Sequence, residues 1–163
     1  MDRRELLGAV GVASLGVLAA GTTHAHAADD NDHHHHMDKT HDDCMKACGT
    51  CAAECNMMAH HCMEKICAGE GPLKLHAKAH SLAMDCQAFC VLAATLIARS
   101  SDLMAYACSA CADACRDCAA ECAKAQDDAA MKACAEKCRE CERSCRQMVA
   151  AMKTKTGDKV GAR

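Results

Sequence analysis

The spacing CxxxCxxCxxxC occurs three times in this chain, and it constrains the fold more than any other feature. The three copies span residues 44–55, 111–122 and 134–145. At about 100° per residue, the four cysteines of one copy fall within an arc of about 60° on a helix, whereas a strand would divide them between two faces. Each copy therefore predicts a helix with one narrow stripe of thiols, at the seam positions that face the interior of a helix bundle.

The chain after residue 43 has a helix-forming composition, and helix-ending and helix-starting residues divide it into four segments. It is rich in Ala, Lys, Glu and Met, and its single proline is Pro72. The segments AGEGP, RSSD and QDD divide it with typical helix stops and N-cap residues. Because the connections are short, the sequence predicts an all-α, antiparallel up-down-up-down four-helix bundle with a Cys-lined core. The predicted helices are 40–67, 73–98, 102–125 and 128–152.

The interior of this bundle must consist largely of Cys, Met and Ala. The chain has 17 Cys and 11 Met, but one Phe, one Tyr and no Trp. Only Cys67 falls outside the stripes, which His and Met residues prolong towards the bundle ends. The candidate metal ligands are Cys44, Cys48, Cys51, Cys55, Cys62, Cys86, Cys90, Cys108, Cys111, Cys115, Cys118, Cys122, Cys134, Cys138, Cys141, Cys145, Met58, His61, His76, His80 and Met131.

Residues 1–27 have the features of an export signal. Arg3 and Arg4 precede a short apolar run rich in Gly and Ala, and AHA at 25–27 supplies an A-x-A cleavage pattern. The arginine pair resembles a twin-arginine signal, which predicts an exported, periplasmic protein. Residues 28–39 are expected to form a disordered His-rich arm, and residues 153–163 a flexible tail. No later segment is expected to cross a bilayer, so the protein is expected to have no contact with the membrane after cleavage.

Charge and composition argue against two classes of function. The formal net charge is −3, and the chain has almost no aromatic side chains on which bases could stack, so no nucleic-acid partner is expected. The sequence suggests no Ser-His-Asp or paired-carboxylate site, so the chain is not expected to be an enzyme.

Non-metal roles explain the stripes poorly. Cysteines that act as small hydrophobes account for a few buried positions, not for 16 in register. Disulfides are common in Cys-rich exported chains. However, residues three or four apart on a helix hold their Cβ atoms about 5–6 Å apart, whereas a disulfide needs about 3.8 Å. A few disulfides between helices remain open.

Three kinds of metal chemistry remain. CxxxCxxC also holds the iron–sulfur cluster of radical SAM enzymes, but those enzymes present it on a loop of a large barrel. Zinc binds four ligands, so four ions on 16 thiolates would leave about eight uncompensated negative charges. Cu(I) is monovalent and prefers thiolates, so bridged two-coordinate sites approach one Cu(I) per Cys with a neutral core. Cu(I) is favoured, and a Zn or Cd thiolate buffer or an iron–sulfur electron carrier is the alternative.

The chain resembles the copper storage proteins, over residues 40–152. The resemblance rests on the three repeats, on CQAFC at 86–90 and on DRRELLG at 2–8. It implies a four-helix bundle that stores many Cu(I) ions along its axis and takes them up at an open end carrying His and Met. For exported relatives it implies a homotetramer, with a copper-dependent enzyme or a chaperone as recipient.

Both bundle ends carry suitable ligands, and the resemblance favours the end at the α1–α2 connection. That end combines Met58, His61, Met63, His76, His80, Met84 and Met131, and the other combines Met37, His41, Met104, Met148 and Met152. Met84 and Met131 are alternatively core fillers, and His60 is expected to face solvent. An oligomer face, or alternatively a seal of the bundle, is expected from Leu82, Phe89, Leu92 and Leu96.

Overall fold

The computed structural model describes residues 38–160, with side chains described as far as residue 153. This part of the chain contains no strand and four helices: α1 (Lys39–Ala68), α2 (Leu73–Ala98), α3 (Met104–Cys122) and α4 (Ala129–Val160). The predicted all-α fold class is confirmed. The predicted signal peptide, most of the His-rich arm, Met37 and residues 161–163 lie outside the described residues.

Acidic side chains and a glycine set the helix ends. The carboxylate of Asp38 accepts the N–H of His41 at the start of α1, and that of Asp128 accepts the N–H of Met131 at the start of α4, both at 3.1 Å. Helix α1 ends at Gly69, whose left-handed backbone (φ 69°) suits a residue without a side chain. These ends fix which turns of each helix enter the bundle.

Helix α2 has its predicted bounds and α1 is longer by one residue at each end, whereas α3 and α4 differ by more. Helix α3 begins at Met104 instead of residue 102, because the N–H of Leu103 bonds to the hydroxyl of Ser101 in a turn (3.2 Å). It ends at Cys122, since residues 123–128 form turns before α4. Helix α4 continues to Val160, past the predicted boundary at residue 152.

The helices pack in cyclic order, so that α1 and α3 each contact α2 and α4. The short connections make neighbouring helices antiparallel, as predicted. Among the buried residues that the structure describes, Leu96 and Ile97 are the only aliphatic side chains larger than Ala. Cys, Ala and Met form the rest of the interior apart from His76, which confirms the composition expected for the core.

Helix α2 has apolar side chains on its outer as well as its inner face. Of the described helices it is the one that is long and apolar enough to cross a membrane, by length and composition only. Its most apolar 18-residue stretch has a mean hydropathy of 1.7 and is 33 % buried. Length and composition alone do not test whether this helix crosses a bilayer, so the expectation that no later segment does so stays a prediction. Cys and Ala also raise the hydropathy, and here Cys86 and Cys90 line the bundle interior. Of the expected oligomer face, Phe89 and Leu92 are exposed and Leu96 is buried.

Candidate metal centre

The thiol stripes face the lumen of the bundle. All 16 stripe cysteines have at most 1 % of their surface exposed, whereas Cys67 is exposed. All 17 cysteines are free thiols. The predicted orientation of the stripes is confirmed, and the structure gives no support to a disulfide framework.

Sulfur atoms from different helices touch across the lumen. Cys48 of α1 lies 3.5 Å from Cys145 of α4, and Cys86 of α2 lies 3.5 Å from Cys115 of α3. Even the diagonal helices α1 and α3 are in contact, with Cys51 Sγ 3.9 Å from Cys115 Sγ. Two metal–thiolate bonds of about 2.3 Å hold their sulfurs at most ~4.6 Å apart. Side-chain movements of less than about 1 Å therefore admit a metal ion between neighbouring sulfurs.

Groups of four thiols follow one another along the axis. In each group the four sulfurs lie within 4.8 Å of one another, and consecutive groups have two cysteines in common. A shared pair can bridge a metal ion in one group to a metal ion in the next. In order along the bundle, five groups are Cys48-Cys111-Cys141-Cys145, Cys90-Cys111-Cys115-Cys141, Cys51-Cys86-Cys90-Cys115, Cys51-Cys55-Cys86-Cys138 and Cys55-Cys118-Cys134-Cys138.

Burial disfavours the charged form of these thiols. At the end of the series, burial raises the pKa of Cys62 to about 11, and the negative charge of Asp128 acts in the same direction. A metal ion that replaces the proton of each thiol leaves the interior neutral only when it brings one positive charge per sulfur. A divalent ion that binds four separate thiolates brings only half a charge per sulfur, so the electrostatics of the lumen favour a monovalent metal.

Thioether and imidazole groups continue the thiol series at the end where α1 leads into α2, here called the His end. Cys62 Sγ lies 3.3 Å from Met58 Sδ and 3.6 Å from Nδ1 of His76. The His76 side chain is buried, and the His61 ring packs edge-on against it with 6.1 Å between the ring centroids. Soft ligands of two further kinds thus lie next to the last thiol.

Asp128 orients the outer of the two imidazoles. Its Oδ2 lies 2.7 Å from Nε2 of His61, while its Oδ1 accepts the N–H of Met131. Burial on its own would raise the pKa of Asp128, but the hydrogen bonds from His61 and Met131 hold it below its usual value. A carboxylate bound to one ring nitrogen fixes the ring and leaves the other nitrogen for a metal, as in many protein metal sites.

An open cleft of about 780 Å³ gives solvent access to the His end. Residues 70–72 of the α1–α2 loop and residues 124–130 before and within α4 line it, together with His61 and His76. The cleft therefore connects solvent with the imidazole that contacts Cys62.

The opposite end, here called the apolar end, is filled by hydrophobic side chains. Ile97 and Met148 are fully buried there, and Met104 is almost so. His41 lies one turn before Cys44, with its Nδ1 2.7 Å from the Oδ1 of Asp38. This end has a single imidazole among the described residues, and aliphatic groups take the place of the second.

Some of the ligands predicted for the His end do not reach it. Met58 and Met131 are buried, but Met63 and Met84 are 42 % and 45 % exposed, so placing these two at the metal-accepting end was wrong. Met63 follows Cys62 by one residue and is turned about 100° from the stripe. The alternative role of Met84 as a core filler is also wrong. His80, one turn after His76 on α2, is half-buried, with its Nδ1 2.9 Å from the carbonyl oxygen of Ala59.

Two outer residues complete the comparison with the sequence-based expectations. His60 faces solvent, as predicted, with its Nε2 3.4 Å from the carboxylate of Glu64. The orienting role of Asp128 was missed, because the sequence shows this residue only as a candidate N-cap and its contact with His61 joins α4 to α1.

Comparisons with known proteins agree with this geometry. The family model described as "Copper storage protein" matches residues 37–150. A Cu(I)-bound copper storage protein 3 of Bacillus subtilis is 31 % identical with a TM-score of 0.61, over 68 % of this chain and 99 % of that chain. A protein from Nitrosospira multiformis is 30 % identical with a TM-score of 0.59, over 69 % of this chain and 96 % of that chain. The apo form of the Bacillus subtilis protein is 30 % identical with a TM-score of 0.57, over 66 % and 97 %. No curated protein sequence matches the chain.

Proposed function

The chain belongs to the copper storage protein family, and we propose that it stores or sequesters many Cu(I) ions in its lumen, about one per cysteine, without catalysing a reaction. The observation that carries this proposal is the unbroken series of four-thiol groups in which consecutive groups share two cysteines. Because each shared sulfur can bridge two metal ions, the number of ions can approach the number of thiolates.

The charge of the lumen supports a monovalent cargo. The 16 buried thiols share their interior with no lysine or arginine among the buried residues that the structure describes. One Cu⁺ in exchange for each thiol proton leaves the interior neutral. A divalent ion that binds four separate thiolates brings two charges for four sulfurs, so half of the negative charge stays uncompensated. Both the ratio and the neutrality therefore favour Cu(I) over zinc or cadmium.

Cu(I) enters at the His end in this proposal. The cleft gives solvent access there, and His61, His76 and Met58 offer exchangeable ligands ahead of Cys62. Met131 is buried at the same end, and His80 lies at its edge. At the apolar end, buried Ile97 and Met148 separate the thiols from solvent.

The outer face of α2 supports assembly into a homo-oligomer, for which the family resemblance implies a tetramer. Met84, Phe89, Val91 and Leu92 are all exposed on consecutive turns of this helix. Several large apolar side chains exposed on the outer side of one helix favour an interaction site there. Light scattering of the purified protein measures the assembly, and a monomer at micromolar concentration contradicts it.

Export to the periplasm remains a proposal that rests on the sequence. A twin-arginine route carries folded proteins, which would shield the thiols from oxidation before copper binds. Replacement of Arg3 and Arg4 by lysine is expected to leave the precursor in the cytoplasm. The stored copper would then serve a periplasmic copper-dependent enzyme or a copper chaperone.

Titration of the reduced apo protein with Cu(I), in competition with a chromophoric chelator and without oxygen, tests the storage function. We expect saturation near one Cu(I) per buried cysteine and no visible absorption, which separates Cu(I) thiolates from iron–sulfur clusters. Saturation below about eight Cu(I) per chain contradicts storage, since bridging sulfurs would then be exceptional. Zinc and cadmium titrations under the same conditions are expected to saturate at a much lower ratio.

A further inference from the structure

A glycine in the wall of the cleft leaves one nitrogen of His76 uncovered. Nδ1 of His76 faces Cys62 at 3.6 Å, so Nε2 lies on the far edge of the ring. That edge faces Gly71, which lines the cleft together with His76. A Cβ atom at position 71 would lie 3.1 Å from Nε2 and 3.7 Å from Cδ2. Glycine at this position is therefore what keeps Nε2 open to the cleft.

The backbone of Gly71 does not by itself explain this contact. Gly71 has φ +70° and Gly69 has φ +69°, so both residues adopt the left-handed conformation that disfavours side chains. A Cβ at Gly69, however, would meet nothing within 4 Å. The loop thus contains two glycines with the same backbone requirement, and only one of them also provides clearance for an imidazole.

The clearance matters for a metal ion because of bond lengths. A metal bound to an imidazole nitrogen lies about 2.0–2.1 Å from it, in the plane of the ring. A methyl group 3.1 Å from Nε2 would occupy the space next to that position, so the metal and the methyl group would overlap. Because His76 is buried, the cleft side is the side from which a Cu(I) ion can approach its Nε2.

We propose that Gly71, because it has no side chain, keeps Nε2 of His76 accessible as the first ligand that incoming Cu(I) binds at the His end. This proposal rests on the proposed storage function and adds a residue that sets the rate of loading. The handover to Cys62 exchanges one Cu–N bond for one Cu–S bond and leaves copper as Cu(I). The thiol proton of Cys62 passes to water in the cleft.

The test compares the loading rates of matched glycine variants. Reduced apo protein is mixed in a stopped-flow instrument with Cu(I) held by a chromophoric chelator, and both the rate and the final copper content are recorded. Gly71→Ala is expected to load about tenfold more slowly, which is ~1.4 kcal/mol on the barrier. Gly69→Ala carries the same backbone strain without the contact, and its rate is expected to stay within about twofold of the wild-type rate.

A third variant separates occlusion from strain. Asn tolerates the left-handed conformation better than Ala but has a larger side chain. Gly71→Asn is therefore expected to fold at least as well as Gly71→Ala and to load no faster. Equal rates for Gly71→Ala and Gly69→Ala, or recovery of the wild-type rate in Gly71→Asn, overturn the proposal. A low final copper content in the wild-type protein would instead count against the storage function.

Discussion

The two ends of the bundle carry the same thiol series but finish it in opposite ways. At the His end, Cys62 is followed by a thioether and an imidazole that borders an open cleft. At the apolar end, Cys44 and Cys145 are followed by buried Ile97 and Met148. One end therefore has ligands that exchange with solvent, and the other has hydrophobic packing that excludes it.

This difference separates hydrophobic packing from metal uptake, which conflict in a bundle with so few large side chains. A lumen of thiols gives less apolar packing than a core of Leu, Ile and Phe, so the few large aliphatic groups contribute more to stability. Ligands for uptake need solvent access, which weakens packing where they lie. The structure places the aliphatic groups at one end and the exchangeable ligands at the other.

Truncation of Ile97 is expected to have the largest effect on stability. Ile97 is fully buried, so Ile97→Ala loses its packing and leaves a cavity that costs about 3 kcal/mol of the free energy of unfolding. Urea denaturation of the reduced apo protein measures this loss. The rate of Cu(I) loading is expected to stay the same. Faster loading by Ile97→Ala would contradict the roles assigned to the two ends, because it would show that the apolar end admits copper once it is opened.

The stability of the apo protein is expected to depend on pH through Cys62 at the His end. Burial raises the pKa of this thiol from its ordinary value of 9.0 to about 11 in the folded protein. Its stabilising effect is therefore complete below pH 9 and is lost as the pH rises towards 11, because the unfolded state then loses its proton first. Over this window Cys62 removes up to about 3 kcal/mol from the free energy of unfolding. Urea denaturation of the wild type and Cys62→Ala at several pH values measures it, and equal slopes above pH 9 contradict the assignment.

The interior of this protein was predictable from the sequence, because cysteine is unusually frequent in it and recurs with the spacing of a helix. Each CxxxCxxCxxxC copy fixes the direction of four thiols, and all of them are buried as expected. Only the chemistry of the metal, not the placement of the thiols, required further argument.

The ends of the bundle were less predictable, because the loops bring their residues together and no regular spacing in the sequence marks those contacts. Met63 and Met84 were assigned to the His end from their ligand type and from the helix topology, but the helical angle turns both of them outward. Asp128, at the start of α4, contacts His61 of α1. Gly71, in the α1–α2 loop, lies against His76 of the helix that follows. No spacing in the sequence indicates contacts of this kind.

Replacement of one buried ligand at each end tests where copper enters. His76→Phe keeps an aromatic ring but removes both nitrogens next to Cys62, and it is expected to slow loading about tenfold, or ~1.4 kcal/mol. Met148→Leu at the apolar end conserves volume and removes a thioether, and it is expected to leave the rate unchanged. Stopped-flow loading from a chromophoric chelator measures both rates. Slower loading by Met148→Leu alone would assign uptake to the apolar end.

The smallest expected effect distinguishes the two Asp–His pairs. Asp128→Asn keeps a good N-cap but loses the charged hydrogen bond with His61, at a cost of about 1 kcal/mol. The more exposed Asp38 contributes less than about 0.5 kcal/mol through His41, so Asp38→Asn is the matched control. Because the folded-state pKa of Asp128 is lowered, its contribution is present above the unfolded value of about 3.9 and is lost as the pH falls through the lower folded value. Urea denaturation at pH 7 and at about pH 2 is expected to show the wild type and Asp128→Asn converging in acid. A difference of the same size at both pH values would mean that Asp128 acts at the His end through packing and not through its charge.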